Sequence, residues 1–346
     1  MKLSKKIGLG IIAIIILLVV FNLPLLSYSF AQLKGQLEII RNAESFDTAL
    51  NSSDYTQKQK DKIKLVAEIK RFAIDSLGLN ESKSYQNIYN QHGNDVLWTI
   101  TACKPFAFEA HEWSFPFLGN VPYKGFFDYE KGNEEFEEIK NTGLDAEYSS
   151  VSGWSTLGWF GDPLLSKMLK RSEGSLADLI IHELTHGTIY IKNEADYNEN
   201  LATFIGNKGA VEFLSYKYGE NSKELSDYLN YQADRKKYVA HILEGSNQLD
   251  SLYKNFNSEL SDASKEVIKN EMILQVVNNI DTIGFNNPKR FEWDLYKKPL
   301  PNNTFFMSYL RYRKKQNSFD SILESKFEND LKKLIKYSKE TQTMID

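Results

Sequence analysis

The chain has 346 residues, 42% of them hydrophobic and 25% charged, which suits one large folded domain or two modest ones and excludes a disordered protein. Lys and Arg number 42 against 46 Asp and Glu, a net charge of −4, so there is no general electrostatic pull toward nucleic acid and none is expected as a partner. The single cysteine, Cys103, excludes an intramolecular disulfide and any zinc site built from several thiolates, leaving carboxylates and the five histidines as ligands.

Lys2, Lys5 and Lys6 precede an apolar run from Ile7 to Phe21, which continues through Leu23, Pro24, Leu25 and Leu26 to about Phe30. At about 1.5 Å per residue the whole stretch spans a bilayer core, whereas Ile7 to Phe21 alone has the length of a signal-peptide core. Ser27, Ser29 and Ala31 would suit a signal peptidase, yet Pro24, Tyr28 and Phe30 make a poor cleavage region. Residues 1–31 are therefore expected to be an uncleaved transmembrane anchor, with a cleaved signal as the alternative. Lysines on the amino-terminal side place that end in the cytoplasm and the remainder outside.

Residues 32–346 contain no low-complexity linker and no repeat, and read as one unit. Gln57 to Leu77 carries apolar residues at helical spacing, with Gly78 as a stop. Val96–Cys103, Tyr123–Phe127, Ala146–Val151 and Ser155–Phe160 are short, rich in β-branched or aromatic residues and bounded by Gly, Pro and Asn, as strands are. From Pro163 onward the pattern is helical, broken near 192–196, 219–221 and 287–303. Ser222 to Ile283 reads as two long helices. The expected class is α+β, mostly helical, with a small sheet ahead of the main helices.

The chemistry lies in His182-Glu183-Leu184-Thr185-His186. Residues i and i+4 share one face of a helix, so two imidazoles at this spacing can hold one Zn2+ while Glu183 acts as general base. With five histidines, fewer than about one composition-matched chain in a hundred would contain the pattern by chance. Ser175 with Asp178 resembles a capping box for that helix, and Leu176, Leu179, Ile180, Leu184 and Ile191 supply its apolar positions.

An open zinc site needs a third protein ligand. A third histidine at the metzincin spacing is excluded, because the relevant positions are Ile189 and Lys192. Glu199, on the next helix after a turn at Lys192–Asp196, is the preferred ligand over Glu194 and Asp196 in the turn itself, since a regular element holds a ligand more firmly. The competing use of Glu199 is a capping box with Asp196. Ala202, Thr203, Gly206, Gly209, Ala210 and Phe213 follow on one face, and such small side chains allow close helix approach. Thr203 is placed for a hydrogen bond to a ligand, although a helical Thr more often bonds its own backbone.

The sequence resembles the bacterial putative zinc aminopeptidase family, membrane-associated proteins grouped with the gluzincin-like zincins. The resemblance runs through Gly35-Gln36-Leu37, Val121 to Phe127, Ser155 to Phe160, Asp162-Pro163-Leu164-Leu165, His182 to His186, Asn198 to Phe204 and Pro301-Asn302-Asn303. It implies a zincin-like metallopeptidase domain over 32–346, with His182, His186 and Glu199 on one Zn2+ and Glu183 as base. It also implies a peptide or protein substrate hydrolysed by zinc-activated water at the periplasmic face of the inner membrane. Relatives often carry a lipoprotein cysteine after the apolar run; Leu26-Ser27-Tyr28 offers none, so anchoring rests on the helix. Tyr312 is the candidate oxyanion donor, while His111 and His241 read as ordinary surface or core histidines. Ser155–Phe160 is the candidate edge strand for substrate, with Thr156 and Gly158 as its contact residues. A zincin-like binding or regulatory protein without catalysis is the rival reading.

Overall fold

In the computed structural model, the described residues are 23–115, 119–151, 161–192, 194–291, 299–313, 316–341, 343 and 345. Helix α1 (Leu23–Asn42) runs into β1 (Glu44–Ser45) and α2 (Phe46–Asn51). The boundary expected at residue 31 falls inside α1, and the apolar run Ile7–Phe21 lies outside the described residues. No helix among the described residues is long and apolar enough to cross a membrane. One face of α1 is fixed to the body of the protein: the Tyr28 hydroxyl donates to the Gly125 carbonyl at 2.9 Å and its ring stacks on Phe115. Gly35 lies so close under Phe127 that a Cβ would collide with the ring.

Helix α3 (Gln57–Asp75) matches the predicted span, and its start explains why: Thr56 and Gln59 form a reciprocal capping box. Its apolar stripe of Ile63, Val66, Ile69 and Ala73 is fully buried. Three of the four expected strands then form one antiparallel sheet. Strand β3 (Trp98–Cys103) is central, after β2 (Asn87–Tyr89), and the hairpin of β4 (Trp113–Phe115) with β5 (Gly119–Val121) precedes β6 (Lys124–Phe126). After α4 (Tyr129–Asn141), β7 (Asp145–Ser150) closes the order β6-β3-β7, with Trp98 opposite Ser150 and Cys103 opposite Asp145. The fourth, Ser155–Phe160, lies outside the described residues.

A second small sheet, β1-β2-β8, uses β8 (Leu164–Leu165) parallel to β2. The sequence reads helical from Pro163 onward, but Leu164 and Leu165 are buried in extended pairing before the chain turns through a 3-10 segment, Ser166–Lys170. Helix α5 (Glu173–His186) follows, then α6 (Ala195–Tyr218), α7 (Lys223–Lys254) and α8 (Asp262–Asn279), the last two being the long pair expected over 222–283. Short helices α9 (Asn303–Arg313), α10 (Gln316–Phe327) and α11 (Leu331–Thr341) finish the chain.

The main core joins α3, α5, α6, α10 and α11, while a separate core lies among α7, α8 and α9 around Ile242, Ile273 and Phe306. Asn302 and Asn303 link this second core to the sheet. Asn303 Nδ2 donates to the Lys104 and Pro105 carbonyls, its Oδ1 accepts from Tyr253, and its backbone N–H donates to Asp145 at 2.9 Å. The buried Lys269 ammonium completes Asp145 at 2.8 Å. The Pro301-Asn302-Asn303 motif is thus an architectural joint, since every polar atom of a fully buried Asn must find a partner.

Candidate metal centre

Helix α5 starts at Ser172, whose hydroxyl accepts from the Ser175 N–H. The capping box expected at Ser175 and Asp178 is thus not formed: Ser172 takes the cap, and Ser175 is the third residue of the helix, supplying the N–H that Ser172 binds. Leu176, Ala177, Ile180, Ile181 and Leu184 bury the opposite side of the helix, which leaves His182, Glu183 and His186 on the remaining face. The chain leaves α5 at Gly187 and is folded back by Asn198, whose side chain both accepts from the Ile191 N–H and donates to the Ile191 carbonyl. Glu199 is the neighbour of that clamp. The α6 cap is Glu194 and makes no side-chain capping bond, so Glu199 lies in the second turn of the helix and is not engaged as a capping residue.

Helices α5 and α6 form the most extensive helix pair of the fold. Gly206 makes this approach possible. A Cβ there would lie 2.7 Å from Asp178 Oδ1, 2.8 Å from the Asp178 carbonyl and 3.1 Å from His182 Cβ. Gly209 sits similarly under Ile181. Gly206→Val is expected to destabilise the protein by about 1–3 kcal/mol, the usual cost of forcing extra atoms into a packed contact. It should also separate Glu199 from the histidines and so weaken any metal binding by the three; thermal unfolding and zinc titration read the two effects.

His182 Nε2 and His186 Nε2 are 3.2 Å apart. Glu199 Oε2 is 3.5 Å from the first and its Oε1 is 3.4 Å from the second. Donor atoms at 2.0–2.2 Å from a tetrahedral Zn2+ are spaced by about 3.3–3.6 Å, so the three side chains have the separations such an ion requires. They are the one group of three or more His, Cys, Asp or Glu residues within metal-binding distance among the described residues. Thr203 Oγ1 stands 3.5 Å from His182 Nδ1, on the ring nitrogen turned away from the cluster.

The charges respond accordingly. Burial works against a charged His182, but hydrogen bonding to Glu199 and the charges of Glu183, Glu199 and Asp178 raise its pKa. Burial likewise opposes a charged Glu199, yet hydrogen bonds to His182 and His186 hold its carboxyl well below the usual range. Glu183 goes the other way: burial raises its pKa more than the two histidines lower it. The adjacent carboxylates thus have opposite characters, one a committed anion and one a proton acceptor of increased basicity.

Tyr85, which no sequence pattern singles out, lies beside Asp162 of the Asp162-Pro163-Leu164-Leu165 stretch. Tyr85 is 3% exposed, adopts φ 58°, and donates its backbone N–H to the Asp162 carbonyl at 2.8 Å. Burial raises its hydroxyl pKa, and the nearby Glu183 charge adds to the rise. A left-handed backbone at a bulky residue costs about 1–3 kcal/mol and persists only where its surroundings hold it. Tyr312 falls near the end of α9, and its side chain is outside the described part of the structure, as are Thr156 and Gly158. His241 bonds the Val276 carbonyl between α7 and α8, and His111 packs edge-on against Trp113.

A family model described as "Putative aminopeptidase" matches residues 27–345. The chain belongs to that family. No curated protein sequence and no solved structure matches it. The match begins within α1 and extends beyond α11, so it covers the sheets, the metal-motif helices and the second core together.

Proposed function

We propose that this member of the aminopeptidase family is a membrane-anchored, zinc-dependent peptidase. The observation that carries the reading is the triangle of His182, His186 and Glu199 donor atoms with edges of 3.2–3.5 Å, beside a half-buried Glu183. The two imidazoles and the Glu199 carboxylate would hold the ion. A zinc ion so bound lowers the pKa of a water molecule and polarises the substrate carbonyl.

The chain's own residues do the rest. Glu183, its basicity raised by burial, takes a proton from water and returns it to the leaving amine. Asp178, one turn before His182 on α5, adds its negative charge to that imidazole and pairs at 3.8 Å with Arg235 of α7. Thr203 meets the other side of the same ring. The Thr203 contact would help orient the ring, and so the nitrogen it turns toward the metal. The apolar run Ile7–Phe21 with its basic prefix would place this centre outside the cytoplasmic membrane.

Purified full-length protein should contain one zinc per chain and cleave peptides with free amino termini, while acetylated counterparts resist. Loss of turnover on acetylation supports recognition of the amino end. Equal cleavage of both would make the protein an endopeptidase, and zinc binding without turnover across a broad peptide library would favour the non-catalytic reading.

A further inference from the structure

Helix α1 has a second face that the fold leaves uncovered. Leu23, Leu26, Phe30, Leu33 and Leu37 are 37–72% exposed, and their spacings of 3, 4, 3 and 4 residues continue to Ile40. Those are consecutive a and d positions of a heptad repeat, all six apolar. Tyr28, Gly35 and Ile39, which hold the helix to the body, lie on other positions of the heptad. The exposed stripe is therefore not the packing face of α1.

We propose that this seam joins a second copy of the chain in a parallel two-stranded coiled coil that pairs two protomers at the membrane. Its width decides the occupant. Ser27, Lys34 and Arg41 on one side and Ser29 and Gln36 on the other flank the stripe, and a strict a/d stripe is a coiled-coil seam, whereas a lipid-bound helix presents a broader apolar face. Leu37 is about 21 Å along the axis from Leu23. On the reading that residues 1–31 include a membrane span, the distal half of the seam stands clear of the acyl chains.

Residues 1–22, which carry the apolar run Ile7–Phe21, lie outside the described residues and lead directly into the start of the seam. Two copies anchored in one membrane enter the coil side by side and in register. In that arrangement Ser29 faces Lys34 of the other copy and Gln36 faces Arg41, so no like-charged pair opposes association.

The test is oxidative cross-linking of the full-length protein in membranes, using single substitutions Leu33→Cys on the seam and Glu38→Cys at an exposed position facing away from it. The native Cys103 is buried and stays silent. Parallel pairing brings the two copies of residue 33 within disulfide reach, so about tenfold more cross-linked dimer is expected for Leu33→Cys than for Glu38→Cys. Phe30→Glu should reduce the dimer without lowering the unfolding midpoint, since Phe30 is 72% exposed. Equal, weak cross-linking at both positions with a monomer mass would overturn the proposal. So would strong broadening of a spin label at position 33 by a lipid-soluble relaxer, which would put the face on lipid. Alkaline extraction reads the anchor separately: release from membranes would refute anchoring while the cross-link still reports the seam.

Discussion

Glu183→Gln is expected to lower peptide turnover by about 10²- to 10⁴-fold, the range that a positioned general base contributes, while leaving zinc content unchanged. Glutamine keeps the shape and hydrogen-bonding reach of the side chain but cannot accept a proton. The metal-free variant should be no less stable at neutral pH. Burial raises the Glu183 pKa in the folded protein, so its contribution to stability is present in acid and is lost as pH rises through that value. A neutral amide removes a charge that the site disfavours. Comparison of kcat, bound zinc and unfolding midpoint separates loss of the base from loss of the site; full turnover in the variant would remove Glu183 from the mechanism.

The elements of this centre differ in how far they could be read from sequence, for physical reasons. The His182–His186 spacing was legible because the helix period alone brings i and i+4 together, whatever the tertiary fold. The closeness of α5 and α6 was legible in Gly206 and Gly209, since a run of missing side chains leaves room for a neighbour. Asn198 could be read as part of a motif, but its two hydrogen bonds to Ile191 depend on the path of the turn. Tyr85 carries no sequence mark of its positive φ, and its backbone hydrogen bond reaches Asp162, far along the chain.

The sheet divides in the same way. Trp98–Cys103 and Asp145–Ser150 are six residues each and show strand composition, so their positions could be anticipated. Strands β1 and β8 have two residues each, too few for any period to register. They exist because β2 offers them partners. Pro301-Asn302-Asn303 was visible as a motif, but its work of joining the second core to β7 follows from long-range hydrogen bonds to Ala146 and Asp145 that no local pattern encodes.

Glu199→Ala should cost more in zinc affinity than the 10- to 100-fold typical of losing an outer hydrogen bond to a ligand, because the carboxylate is itself proposed as a ligand. Turnover should fall with it and recover in part at high zinc. The pH dependence gives an independent reading. In the metal-free protein the depressed Glu199 contributes stability above the ordinary carboxylate pKa and loses it in acid. The raised His182 contributes below the ordinary imidazole pKa and loses that contribution as pH rises through its folded value. Their pair is thus strongest at about pH 5–6, between the two ordinary values. Zinc must displace the proton from His182, so apparent affinity should fall about tenfold per pH unit below the raised pKa. In Glu199→Ala the largest support for that proton is gone, and the acid loss of zinc should begin at lower pH. A variant that kept stoichiometric zinc and an unaltered pH profile would return the third ligand to Glu194 at the α6 cap or to Asp196 in the first turn of α6, and would leave Glu199 as a hydrogen-bond partner of two histidines.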